Sequence, residues 1–354
     1  MEMNRREWLG GGAAIAAMAA LPRMAQAQAA NAVPESMIHP ELRPILRQFT
    51  STFAKMPAWT VANLPELRKP FAFADFTPLT TVPFERRVIP VGKPHPDVPI
   101  YVINAKPGTN RPAILHTHGG GYVTGSAETS VRQMQELAAK LDCVVVTVEY
   151  RLAPETTYAG SMEDNYAGLK WLHANAESLG VDRSRIAVMG ESAGGGHAAI
   201  LALLARDRGE VPLCFQCLIY PMLDDRTGIT RKVQPWVGAL GWTPAQNRFG
   251  WESFLGAMPG RAKAPKYAVP ARMTDLKGLP PAFIGVGTLD LFCDEDIDYA
   301  QRLNNAGAQT ELVVVPGAIH GFDMIALMSK AKLGYWFEGV KLNALRRGFG
   351  LPAA

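Results

Sequence analysis

Short, almost wholly apolar runs recur along the chain, each followed by a longer stretch of mixed polarity. Ala113-Ile114-Leu115, Cys143 to Val148, Ile186 to Met189, Leu213 to Tyr220, Pro281 to Gly287 and Glu311 to Val315 have strand length, and most are rich in β-branched residues. With two weaker runs upstream they predict strands near 84–91, 100–105, 113–118, 143–150, 186–190, 215–221, 282–287 and 310–316, with helices between most of them. Strand alternating with helix predicts an α/β domain with a mostly parallel, doubly wound, eight-stranded sheet flanked by helices, because parallel neighbours need a crossover connection. The first two strands have no helix between them and are expected as an antiparallel hairpin at the sheet edge.

Two segments fall outside this alternation, 28–75 and 226–270. Both read as helical and are expected to pack together as a lid over a core made of 76–225 and 271–354. Trp236, Trp242, Phe249, Trp251 and Phe254 lie in the second segment at roughly helical spacing. They are read mainly as lid core, with some lining the entrance. Residues 1–27 are set apart: Asn4-Arg5-Arg6-Glu7-Trp8-Leu9 precedes an apolar run to Leu21 and then Ala25-Gln26-Ala27. That order reads as a twin-arginine export signal with a small-residue cleavage site, leaving a periplasmic or secreted chain. The apolar run is shorter than the ~20 residues needed to cross a bilayer, so no stable membrane span is expected.

A chain of 354 residues with 48% hydrophobic and 19% charged residues can bury a large core. Its net charge of +4 is small and unclustered, which argues against nucleic acid as a partner. A homodimer is compatible with this composition. The four cysteines do not form a framework: Cys143 opens a strand run, Cys214 and Cys217 lie in another where residues three apart face opposite sides, and Cys293 reads as a small buried filler. No catalytic thiol and no metal site is expected.

The chemistry is concentrated in three places. Gly190-Glu191-Ser192-Ala193-Gly194 follows the strand run Ile186 to Met189 and opens an Ala/Leu-rich helix. Strand, G-x-S-x-G turn and helix in that order form a nucleophile elbow, with Ser192 as the attacking group. His118-Gly119-Gly120-Gly121 follows the strand run at 113–115. Glycine N–H groups there can approach a developing oxyanion, so Gly119, Gly120 and Ala193 are the expected donors. The general base must follow both Ser192 and the acid in this order of residues, and His320 is the histidine that satisfies this. Asp290, at the end of the run from Pro281 to Gly287, is preferred as the acid over Asp294, Glu295 and Asp296, which read as the acidic first turn of the next helix.

Together with Tyr150-Arg151-Leu152-Ala153-Pro154-Glu155, these motifs resemble the hormone-sensitive-lipase-like bacterial esterases of the alpha/beta hydrolase fold. The likeness runs from about residue 35 to the C-terminus. It implies hydrolysis of small carboxylic esters through an acyl-enzyme, without a metal or organic cofactor, on short to medium acyl chains. It also implies that His118, Gly121, Glu191, Glu149, Arg151 and Glu155 support the oxyanion loop, with Arg151 and Glu155 in one buried polar network. The sequence departs from the family at Glu191 and Glu149, where aspartate is usual, and both changes keep the charge. An amidase or peptidase with the same triad stays open. A non-catalytic binder, as in the related plant gibberellin receptors, is disfavoured because those lack the histidine that this chain keeps at 320.

Overall fold

The computed structural model describes residues 33–53, 57–69 and 76–352. The expected export signal at 1–27 therefore lies outside the described residues. The eight strands are β1 (Phe84–Ile89), β2 (Val98–Ile103), β3 (Arg111–Thr117), β4 (Val144–Val148), β5 (Val181–Glu191), β6 (Phe215–Ile219), β7 (Ala282–Gly287) and β8 (Thr310–Val315). They form one sheet in the order β1-β2-β4-β3-β5-β6-β7-β8. β1 pairs antiparallel with β2, and β2 antiparallel with β4, while all pairs from β4 to β8 are parallel. The edge hairpin and the parallel remainder are as the pattern predicted.

The apolar runs do not alternate because both sheet faces are covered. Val144, Val146 and Val148 belong to one core cluster, while Val145 between them belongs to the other. Ala113 and Leu115 divide from Ile114 in the same way. The helices of seven or more residues are α1 (Arg43–Phe53), α2 (Ala127–Leu141), α3 (Tyr158–Ala174), α4 (Ala193–Arg208), α5 (Pro244–Leu255), α6 (Cys293–Asn305), α7 (Phe322–Met328) and α8 (Lys332–Gly348). In α4 every residue from Ala193 to Ala205 is buried, which is why that helix reads as apolar all round.

Three expectations are corrected. β2 runs from Val98 to Ile103 instead of 100–105, and β5 begins at Val181 instead of 186. The polar run Asp182-Arg183-Ser184-Arg185 hides the early part of β5 from an apolar pattern. The segment 226–270 is mostly irregular and holds one α-helix, α5, which has a capping box at Thr243 and Gln246 and ends at left-handed Gly256. Positive φ at Gly228, Gly238, Gly241 and Gly260 breaks helical continuation on both sides of it. This segment meets the N-terminal one where the Trp59 and Trp242 rings make an edge contact at 5.3 Å, and where Trp59, Leu67 and Phe249 surround Leu64, Val123 and Ala153. The turn leading into α1 docks elsewhere: the His39 N–H donates to the Gly317 carbonyl, and the Glu41 carboxylate accepts the Leu333 N–H at the start of α8.

Candidate active site

Ser192, Asp290 and His320 each follow the carboxyl end of a parallel strand: β5, β7 and β8 respectively. Ser192 is the N-cap of α4 with φ 58° and ψ −122°, a strained conformation for a residue with a side chain. Its backbone is secured on both sides, its N–H donating to Ile219 at 2.9 Å and its carbonyl accepting from Met222 at 2.9 Å. The flanking glycines are required by contact. A Cβ on Gly190 would lie 2.4 Å from the Gly194 backbone, and one on Gly194 would lie 2.0 Å from the Thr117 carbonyl.

The three side chains form a continuous hydrogen-bonded line. His320 Nε2 is 2.9 Å from Ser192 Oγ, and its Nδ1 is 2.8 Å from Asp290 Oδ2. Asp290 is wholly buried and takes a second bond, from the Phe292 N–H to Oδ1 at 3.0 Å. An aspartate on Nδ1 fixes the proton there, so Nε2 presents its lone pair to the serine hydroxyl. Rings enclose the imidazole: Tyr220 at 4.8 Å, Phe292 at 5.2 Å and Trp242 at 6.3 Å between centroids. Of the competing acids, Asp294 is exposed, whereas Glu295 and Asp296 are buried, which corrects their reading as a simple acidic helix start. Glu295 accepts the N–H groups of Leu223 and Asp224, and burial raises both the Glu295 and Asp296 carboxyls well above their ordinary values.

Gly119 lies against the elbow, where an added Cβ would be 3.0 Å from the Glu191 carbonyl and 3.5 Å from the Ser192 Cβ. Gly120 has φ +125°, and a Cβ there would meet the Thr124 carbonyl at 2.1 Å. Among the described residues the N–H groups of Gly119, Gly120 and Ala193 have no acceptor, which leaves three donors beside Ser192. Behind them, the His118 imidazole donates from Nδ1 to the Gly119 carbonyl at 2.8 Å, stacks on Tyr150 at 4.2 Å, and has its own carbonyl held by the Tyr150 hydroxyl at 2.7 Å. Burial pushes His118 down to about 4, so it is neutral and can act as this single donor at neutral pH.

The expected supporting acids divide into separate roles. Glu191 receives His116 Nε2 at 3.0 Å, and the other ring nitrogen of His116 meets the Thr147 hydroxyl at 2.8 Å. Burial works to raise the Glu191 carboxyl, but His116 and Lys341 together hold it below its usual value. Glu149 caps α2 by accepting the N–H groups of Ala127 and Glu128. Arg151 and Glu155 do not share one buried network. Arg151 forms a two-pronged pair with the buried Asp164 and touches His95, whereas the largely exposed Glu155 is paired with Arg68. Arg68 also donates to the carbonyls of Val123 and Ala153, so Glu155 reaches the segment after the glycine loop through a residue 87 positions away.

The four cysteines are free thiols, and burial pushes each up to about 12. Among the described residues no group of three or more His, Cys, Asp or Glu side chains is arranged to hold a metal, and no helix is long and apolar enough to cross a membrane.

Residues 114–324 match the family described as the alpha/beta hydrolase fold. Carboxylesterase NlhH of Mycobacterium tuberculosis is 34% identical over 327 residues, covering 88% of this chain and 96% of that protein. The solved structure of a bacterial heroin esterase superposes with a TM-score of 0.76 at 37% identity, over 89% of this chain and 98% of that one. Esterase LipW from Mycobacterium marinum superposes with a TM-score of 0.75 at 33% identity, over 89% and 97%.

Proposed function

The chain belongs to the hormone-sensitive-lipase-like esterases of the alpha/beta hydrolase fold and is a serine carboxylesterase, and we propose that it cleaves short to medium acyl esters through an acyl-enzyme on Ser192. The observation that carries this mechanism is the line from Ser192 through His320 to Asp290. In the proposed cycle His320 takes the Ser192 proton as the oxygen attacks the ester carbonyl, and Asp290 stabilises the imidazolium. The N–H groups of Gly119, Gly120 and Ala193 hold the oxyanion. His320 then hands its proton to the leaving alcohol. Water, deprotonated by the same imidazole, releases the acid and restores the serine.

The segments 28–75, of which 33–53 and 57–69 are described, and 226–270 serve as the lid in this reading. At their meeting point Trp59 packs on Trp242, whose ring lies close to His320 and Gly121, which favours compact acyl groups over long ones. Reaction with a fluorophosphonate tests the nucleophile: the adduct should be found by mass spectrometry on the peptide carrying Ser192, and an adduct on another residue would overturn the assignment. We further propose export through the twin-arginine route, on the strength of Arg5-Arg6 and the apolar run after them. Replacing both arginines by lysine should leave the enzyme in the cytoplasm, and unchanged export would contradict it.

A further inference from the structure

The turn Gly238-Ala239-Leu240-Gly241-Trp242 touches the acid loop, the base and the oxyanion loop within five residues. The Gly238 N–H donates at 2.9 Å to the carbonyl of Leu289, the residue before Asp290. A Cβ on Gly238 would lie 2.9 Å from the Leu291 side chain, on the other side of that aspartate. Gly241 is pressed against the base, since a Cβ there would be 3.1 Å from the His320 carbonyl and 3.3 Å from its Cβ. The Trp242 ring lies on the oxyanion loop, 2.2 Å from where a Cβ on Gly121 would be. Gly238 and Gly241 have φ of +68° and +85°, so the chain makes these approaches through residues that carry no side chain.

Trp242 is held from behind as well. Its Nε1–H donates to Asn247 Oδ1 at 3.2 Å, and Asn247, itself wholly buried in α5, donates from Nδ2 to the Thr227 carbonyl at 2.8 Å. The Trp59 ring closes the remaining side. The tryptophan is therefore fixed by the lid segment while it leans on Gly121 and faces the His320 ring at 6.3 Å.

We propose that this turn is a brace for the catalytic machinery, with Trp242 a positioning residue for Gly121 and His320 and Asn247 a positioning residue that acts through Trp242. The proposal rests on the reading of Ser192, His320 and the glycine loop given above. It assigns the lid segment a part in the chemical step in addition to its part in enclosing the substrate. A loop that shifts by a fraction of an ångström here moves the base and the oxyanion donors together, and misplacement of about 1 Å can cost on the order of 100-fold in rate.

The test is the kinetics of wild type, Trp242→Phe, Trp242→Ala and Asn247→Ala on p-nitrophenyl acetate and octanoate, with melting temperatures recorded for each. A brace predicts that kcat falls by about 10- to 100-fold in Trp242→Ala and Asn247→Ala on both esters alike, with KM changed by no more than about threefold. Trp242→Phe, which keeps a ring on Gly121, should recover part of the loss. A tryptophan that only walls the pocket predicts unchanged kcat on acetate and a selective gain on octanoate, and that result overturns the proposal. If Asn247→Ala does not fold, the two Trp242 variants decide the matter. An inactive wild type would instead undo the esterase mechanism, whereas an active wild type silenced by Ser192→Ala, with all three variants unimpaired, would undo the brace alone.

Discussion

Asp290 grips the Nδ1 side of His320 at 2.8 Å while remaining wholly closed to solvent. In the proposed mechanism the pair settles the imidazole's tautomer and gives the proton taken from Ser192 a stabilised place to reside. Asp290→Asn keeps the shape but offers an amide, which favours the opposite tautomer. The variant should fold normally and lose about 10³- to 10⁴-fold in kcat. A loss below about 10-fold would assign the role to a different carboxylate.

Gly120 tests the oxyanion donors. At φ +125° with the Thr124 carbonyl 2.1 Å from its missing Cβ, it can take no side chain without moving the loop. Gly120→Ala should reduce kcat by about 10²- to 10³-fold, the cost of losing one such donor. Gly339, in the interior of α8 with nothing within 4 Å of an added Cβ, is the contrast. Gly339→Ala should leave kcat unchanged and add about 0.5–1 kcal/mol of stability, read by denaturant melts.

Much of the candidate site was legible in the chain because the chemistry proposed for it needs glycine. Gly190, Gly194 and Gly120 each sit where a Cβ would strike backbone, and one on Gly119 would press on the Glu191 carbonyl, so the motif and the contact are the same fact. Ser192, Asp290 and His320 were legible from the order of triad residues that a nucleophile elbow implies and from the strand runs each one follows. The supports were less legible because they are long-range. Nothing local to Arg68 foretells Glu155 or the Val123 carbonyl, and Asp164 gives no local hint of Arg151. The segment 226–270 was misread as broadly helical because its aromatics fall at helical spacing, while Gly238 and Gly241 are placed for close approach to Leu291 and His320. Burial of Glu295 and Asp296 was hidden for a similar reason: acids in a first turn look the same in sequence whether the turn faces water or core.

The buried histidines predict an acid-sensitive fold. Burial lowers His118 from 6.5 to about 4 and His197 from 6.5 to about 3, and both rings are closed to solvent. The unfolded chain then binds more protons than the folded one between those values, so stability is complete above about pH 6.5 and drains away as pH falls toward 4. Melting temperature should drop across that window, and His197→Asn should drop less steeply. Parallel slopes for the two proteins would remove His197 from the explanation.

Asp296 predicts the opposite slope. Its two carboxyl oxygens are buried without partners, and burial raises it well above 3.8, with Glu295 and Asp290 adding to the shift. A carboxyl raised in the folded state supports the fold fully below its unfolded value and loses that support as pH rises, so it costs stability at neutral pH. Asp296→Asn should therefore melt higher than wild type at pH 8, with the gap closing toward pH 4. A variant less stable than wild type at pH 8 would mean that the carboxylate has a partner in the folded chain.

The most direct test of the account is hydrolysis of p-nitrophenyl acetate, butyrate and octanoate by the wild-type protein beside Ser192→Ala. Loss of roughly 10³-fold or more in the variant, with wild-type turnover highest on the shorter esters, is the predicted result. Equal activity in the two proteins would contradict Ser192 as the nucleophile and the mechanism built on it.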